Sequence, residues 1–130
     1  MKVLRGTWIA IGWLGVGLLL YLSLTPKPID ISIDHGDKIG HLFAYAFLTI
    51  WWMQLHSDVK QQYLLALILI TLGIAIEYIQ GWTGWRTFDY FDMLANCTGV
   101  IIGWLASKRI PNCLDLFKPS RNEHKKIIQK

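Results

Sequence analysis

The apolar residues of this chain come in long blocks, not at the spacing of an amphipathic helix or a half-buried strand. That pattern predicts membrane-crossing helices. The first block, Gly6 to Leu24, is free of charge and flanked by Lys2 and Arg5. At ~1.5 Å per residue it is about long enough to cross ~30 Å of hydrocarbon. A signal peptide competes for the same stretch, but the run is too long for a signal core and no small-x-small cleavage site precedes Pro26. It reads as a retained helix, ended by Thr25-Pro26-Lys27-Pro28 because proline cannot continue the hydrogen-bond ladder. Residues 25–36 read as a polar loop. The second block is predicted over Asp37 to Leu55, closed by His56-Ser57-Asp58, and the third over Tyr63 to Gln80. A loop from Gly81 to Thr87 follows, then a fourth block from Phe88 to Ser107. Each of the last three carries polar residues at one end only.

The predicted fold is an all-α polytopic membrane protein, a bundle of four transmembrane helices over residues 1–107. Residues 108–130 read as a disordered basic tail. Composition agrees: 53% of residues are hydrophobic and 17% charged, with mean hydropathy +0.35. Soluble domains run to about 25% charged residues. The tail holds Lys108, Arg109, Lys118, Arg121, Lys125, Lys126 and Lys130 against Asp115 and Glu123. After a membrane segment such a run reads as a cytoplasmic flank near anionic lipid, not as a nucleic-acid binder. Four crossings then put both termini in the cytoplasm. Trp8, Trp51, Trp52 and Trp104 are expected near the cytoplasmic interface and Trp82 and Trp85 near the outer one, as an aromatic belt. Cys97 and Cys113 should lie at different depths, with no disulfide and no zinc-site spacing.

That sidedness brings the start of the second segment, the end of the third and the start of the fourth to the outer face. The polar residues occupy those places. Asp37, His41 and Tyr45 recur every four residues and share a helix face, with Lys38 beside them. Asp37 serves equally as a helix cap, and Tyr45 as packing. His41 lies a turn inside an apolar helix, where an unsatisfied imidazole is costly. Glu77 and Gln80 share a face three residues apart, and Glu77 follows fourteen uncharged residues, Tyr63 to Ile76. Asp89, Asp92 and Asn96 form another stripe. Asp89 and Asp92 fit a helix start of the capping-box kind, a reading that is strong for Asp89 and weaker for Asp92. Asn96, a turn deeper, is of the type that bonds across membrane helices. Arg86 offers a planar fork suited to a carboxylate or a phosphate. Ala95, Gly99, Gly103 and Ser107 are a small-residue stripe, read as packing only.

Asp37, Glu77, Asp89 and Asp92 oppose Lys38 and Arg86, leaving this layer negative by two with His41 neutral. A protonated carboxyl, a charged His41 or a bound cation would each offset that. No compact metal motif is present, so no metal or other cofactor is assigned at this stage.

Three pieces in this order resemble the VanZ-like family of small membrane proteins. They are D-K-x-x-H-x-x-x-Y (Asp37, Lys38, His41, Tyr45), E-x-x-Q (Glu77, Gln80) and R-x-x-D-x-x-D-x-x-x-N-x-x-G (Arg86, Asp89, Asp92, Asn96, Gly99). The resemblance covers roughly residues 37–105. The family is named for a protein linked to resistance to the glycopeptide teicoplanin. The resemblance implies a multi-pass protein of the bacterial cytoplasmic membrane. The expected function is binding of, or action on, an envelope lipid or cell-wall precursor at an outer-leaflet site. In that reading His41, Glu77 and Asp92 carry the chemistry. Asp37, Lys38, Tyr45, Gln80, Arg86, Asp89 and Asn96 bind the ligand, a membrane lipid or a lipid-linked, phosphate-bearing group. The alternative is a non-enzymatic scaffold or partner-binding protein whose polar layer is structural. A proton or cation path is a weaker third reading, since the inner halves offer no polar continuation.

Overall fold

The computed structural model describes residues 2–26 and 36–114. Their regular structure is all α-helix: α1 Lys2–Leu24, α2 Gly36–Met53, α3 Val59–Thr83 and α4 Tyr90–Ser107. Lys27, Pro28 and residues 115–130, with most of the basic tail, lie outside the described residues.

Each helix start and stop has a local cause. α1 ends just before Thr25-Pro26, where the proline removes a backbone donor. α3 begins four residues earlier than its apolar run, because the polar turn Val59-Lys60-Gln61-Gln62 is helical behind the N-cap residue Asp58. It also continues past Gln80 to Thr83 and stops at Gly84, whose φ of 77° is left-handed. That conformation suits a residue without a Cβ. α4 starts on Asp89, whose carboxylate accepts from the Phe91 amide at 2.8 Å.

α2 and α4 form the tightest pair and run in the same direction. Gly99 lies against the Leu42 carbonyl and Tyr45, and Gly103 against Ala46 and Thr49. A Cβ on Gly103 would sit 2.5 Å from the Ala46 carbonyl oxygen. The small-residue stripe therefore does pack one backbone on another. α3 lies against both of these helices. α1 packs on α2 and α3 and does not reach α4. A Cβ on Gly12 would meet the Trp52 ring at 2.8 Å. Trp8 and Trp51 stack at 3.9 Å, each indole N–H donating to the other's backbone carbonyl at 3.0 Å. These three tryptophans thus join α1 to α2, beyond any role in an interfacial belt. Trp82, 93% exposed, has no such contact to explain it.

α1 and α3, of 23 and 25 residues, are long and apolar enough to cross a membrane. α2 and α4 have 18 residues each and carry buried polar groups. The surface is apolar on all four helices: Leu14, Phe43, Phe47, Leu67, Leu94 and Ile101 are exposed. The buried set includes His41, Thr49, Glu77, Gln80, Asp92 and Asn96 beside Leu48, Leu69, Ile76 and Val100. An apolar exterior over a partly polar interior is what hydrocarbon solvent favours.

At the opposite end of the bundle, Gln54 holds the chain after α4. Its carbonyl accepts from the Asn112 amide at 3.0 Å and its side-chain oxygen from the Cys113 N–H at 2.9 Å. The segment read as a disordered tail therefore begins tethered. Cys97 and Cys113 are both free thiols.

Candidate functional site

The polar residues meet at the end of the bundle where α2 and α4 begin and α3 finishes. Because α2 and α4 run parallel and α3 antiparallel, residues one turn apart on each helix stack into levels. The rim level holds Asp37, Lys38 and Asp89. Lys38 Nζ lies 2.7 Å from Asp89 Oδ2 and 3.2 Å from Asp37 Oδ2, and 3.2 Å from Asp92 Oδ1 in the level below. One ammonium thus draws three carboxylates from two helices together. Its hydrogen bond holds the Asp89 carboxyl below its ordinary range, as does the bond from the Phe91 amide.

The second level holds His41, Glu77 and Asp92. Each offers a ligand-type atom, and these atoms lie within 4.8 Å of one another. Glu77 is fully inaccessible, and His41 and Asp92 are 8% and 7% exposed. Glu77 Oε2 accepts from the Asp89 backbone N–H at 3.5 Å, while Oε1 has no partner. This corrects the capping-box reading: the amide a capping box would satisfy with Asp92 faces Glu77, and the Asp92 carboxylate turns to Lys38.

The third level holds Tyr45, Asn96 and Gly73. Tyr45 and Asn96 are fully buried, and among the described residues neither the tyrosine hydroxyl nor either polar atom of the asparagine amide has a hydrogen-bond partner. Gly73 makes the room. A Cβ there would sit 3.0 Å from Asn96 Cβ and 3.3 Å from Tyr45 Cζ. Sequence reasoning passed over Gly73; the signal was a glycine in the middle of an apolar helix, one turn before Glu77.

Two expected ligand residues are placed differently. Gln80 donates its side-chain amide to the Ser23 carbonyl at 2.7 Å and so ties α3 to the end of α1. Asp37 lies in the first turn of α2, not at its cap, with its carboxylate 55% exposed. Arg86 is half-buried in the loop before α4. Among the described residues no carboxylate lies within 4.0 Å of it. The structure therefore brings together Asp37, Lys38, His41, Tyr45, Glu77, Asp89, Asp92 and Asn96, with Arg86 beside them.

The chain as a whole is matched by a known family. A family model described as VanZ/LLP1 matches residues 7–111, which takes in nearly all of the four helices. The chain belongs to the VanZ-like family. Membership and the apolar helices α1 and α3 point to a membrane protein. The chain is similar to an uncharacterised protein of the fission yeast Schizosaccharomyces pombe, 30% identical over 89 residues. The match covers 65% of this chain and 52% of the yeast protein, so the chain spans about half the length of that relative. No solved structure matches.

Proposed function

We propose that this VanZ-like protein crosses the membrane four times with both termini cytoplasmic, and that its polar cluster faces the extracytoplasmic leaflet. The cluster binds, and acts on, a phosphate-bearing group of a membrane lipid or lipid-linked envelope precursor. Arg86 supplies the anion contact. Lys38, engaged by three acids, organises the rim and does not bind the anion by itself. His41 with Glu77 or Asp92 transfers a proton or orients a hydroxyl.

The observation that carries this reading is the meeting of an imidazole and two carboxylates within 4.8 Å, drawn from three helices. Ionisable groups are costly inside a membrane protein and concentrate at functional sites. The match to a yeast protein favours a headgroup chemistry common to bacterial and eukaryotic membranes over a bacterial cell-wall precursor. A direct role in glycopeptide resistance is carried only by the family's name.

The test is purified protein in nanodiscs containing phosphorylated lipids, with turnover followed by mass spectrometry and binding by native mass spectrometry. Wild type should bind and convert such a lipid, Glu77→Gln should bind without conversion, and Arg86→Ala should bind at least about tenfold less. Equal behaviour of wild type and Glu77→Gln would count heavily against a catalytic role.

A second reading has its own support. Lys38 and Gln80 are engaged within the protein, as a purely structural polar layer requires. Under that reading Arg86→Ala loses folded protein. Under the first it leaves folded, inactive protein.

A further inference from the structure

Asp92 Oδ1 has the Lys38 ammonium 3.2 Å away. Five other buried side-chain atoms have no hydrogen-bond partner among the described residues: His41 Nδ1, Tyr45 Oη, Glu77 Oε1 and the Asn96 Nδ2 and Oδ1 pair. All five belong to the second and third levels of the site. A buried polar atom without a partner costs about 1–3 kcal/mol, more when charged. Five in one cluster are therefore not explained by the packing of the helices alone. The charge is lopsided too: four acids face two cations, and Lys38 is shared among three of those acids. Among the described residues Glu77 makes no ion pair, and Asp92 only shares Lys38, where charge is least tolerated.

We propose that His41, Glu77 and Asp92 bind one divalent transition-metal ion, of the zinc or manganese kind. One imidazole and two carboxylates are donors that zinc accepts, and the imidazole argues against magnesium or calcium, which prefer oxygen alone. The ion's two positive charges match the two surplus negative ones. Ligand bonds of about 2.0–2.2 Å set tetrahedral donor atoms roughly 3.4 Å apart. The observed spread of up to 4.8 Å closes to that with side-chain movements of about an ångström. Each ligand comes from a different helix, so the backbone already fixes the three directions of approach.

The second observation, independent of the acids, is the Asn96–Tyr45 floor. Asn96 is completely buried, and both polar atoms of its amide lack a partner directly beneath the donors. Gly73 lets both side chains pack against α3, since a Cβ there would meet each of them. Metal sites carry such polar groups to orient ligands and to hold water on the ion. Three protein ligands also leave positions that a water or a phosphate oxygen fills. The ion uses the same cluster as the headgroup reading. It is measured without lipid turnover, so either inference can fail alone.

The test uses the untagged full-length chain, purified in detergent, stripped with a chelator and dialysed against zinc or manganese chloride. Wild type and His56→Ala, altered at the far end of the bundle, should each retain one ion per chain by elemental analysis. His41→Ala and Asp92→Asn should bind at least 100-fold more weakly. X-ray absorption of the zinc-loaded wild type, which needs no variant to fold, should show one imidazole nitrogen with oxygen donors. Affinity unchanged in His41→Ala, a shell containing sulfur or lacking imidazole, or no ion retained by wild type would each overturn the proposal.

Discussion

Among single residues, Lys38 has the most partners in the site. Its ammonium lies 2.7–3.2 Å from three carboxylates on two helices, and without it Asp37, Asp89 and Asp92 would repel one another. Breaking a buried ion pair from one side costs about 3–5 kcal/mol. Asp37 and Asp89 keep part of their exposure to solvent, so Lys38→Met should cost less, roughly 2–3 kcal/mol. Thermal unfolding in detergent checks this, and removing one of the repelling carboxylates with Asp92→Asn in the same chain should recover part of the loss. Other residues differ in how far their role could be read in advance. The helical spacing of His41 with Tyr45 and of Asp92 with Asn96 was visible because it is local. That Gln80 reaches Ser23 was not, since 57 residues separate them and nothing in E-x-x-Q points to α1. The same holds for Glu77, whose carboxylate receives the Asp89 amide across a turn that the capping-box pattern assigned to Asp92.

For the elements, the close parallel pairing of α2 and α4 sets the site. It places His41 beside Asp92 and Tyr45 beside Asn96, one helix turn at a time. Gly99 and Gly103 permit that approach, because their missing side chains are replaced by the α2 backbone at Leu42 and Ala46. Overpacking a well-filled contact costs typically 1–3 kcal/mol, more when backbone must move. Gly103→Val should therefore lower stability by about that amount and separate the two helices. Double electron–electron resonance between labels on α2 and α4 should report an increased distance. The identical change at Gly17, where an added Cβ meets nothing within 4 Å, should leave the distance unaltered. The helix blocks were legible from hydropathy, but their ends were displaced where polar turns are helical. The first turn of α3 and its end at Gly84 follow from capping and φ, which hydropathy does not record.

At the scale of the whole molecule, an apolar surface encloses polar residues at one end, while the tethered segment after α4 lies at the other. In a four-crossing bundle these ends face opposite sides. With Cys97 replaced by alanine, Cys113 should react with a membrane-impermeant maleimide only in opened or inverted membranes. A cysteine at Thr87, in a chain whose native cysteines are both replaced, should react in intact cells. Labelling of both from one side would refute the four-crossing arrangement. The amino-acid order alone determined that the chain is helical and rich in membrane-type segments, which residues share a helix face, and to which family it belongs. Those are properties of neighbours within a few turns, and spacing along one helix fixes them. Which faces meet was decided only by the tertiary structure. Parallel packing of α2 on α4, with α3 crossing back, set one imidazole, two carboxylates and an unpartnered asparagine in a common interior. No local pattern encodes the contact, because it depends on where glycines let separate backbones touch.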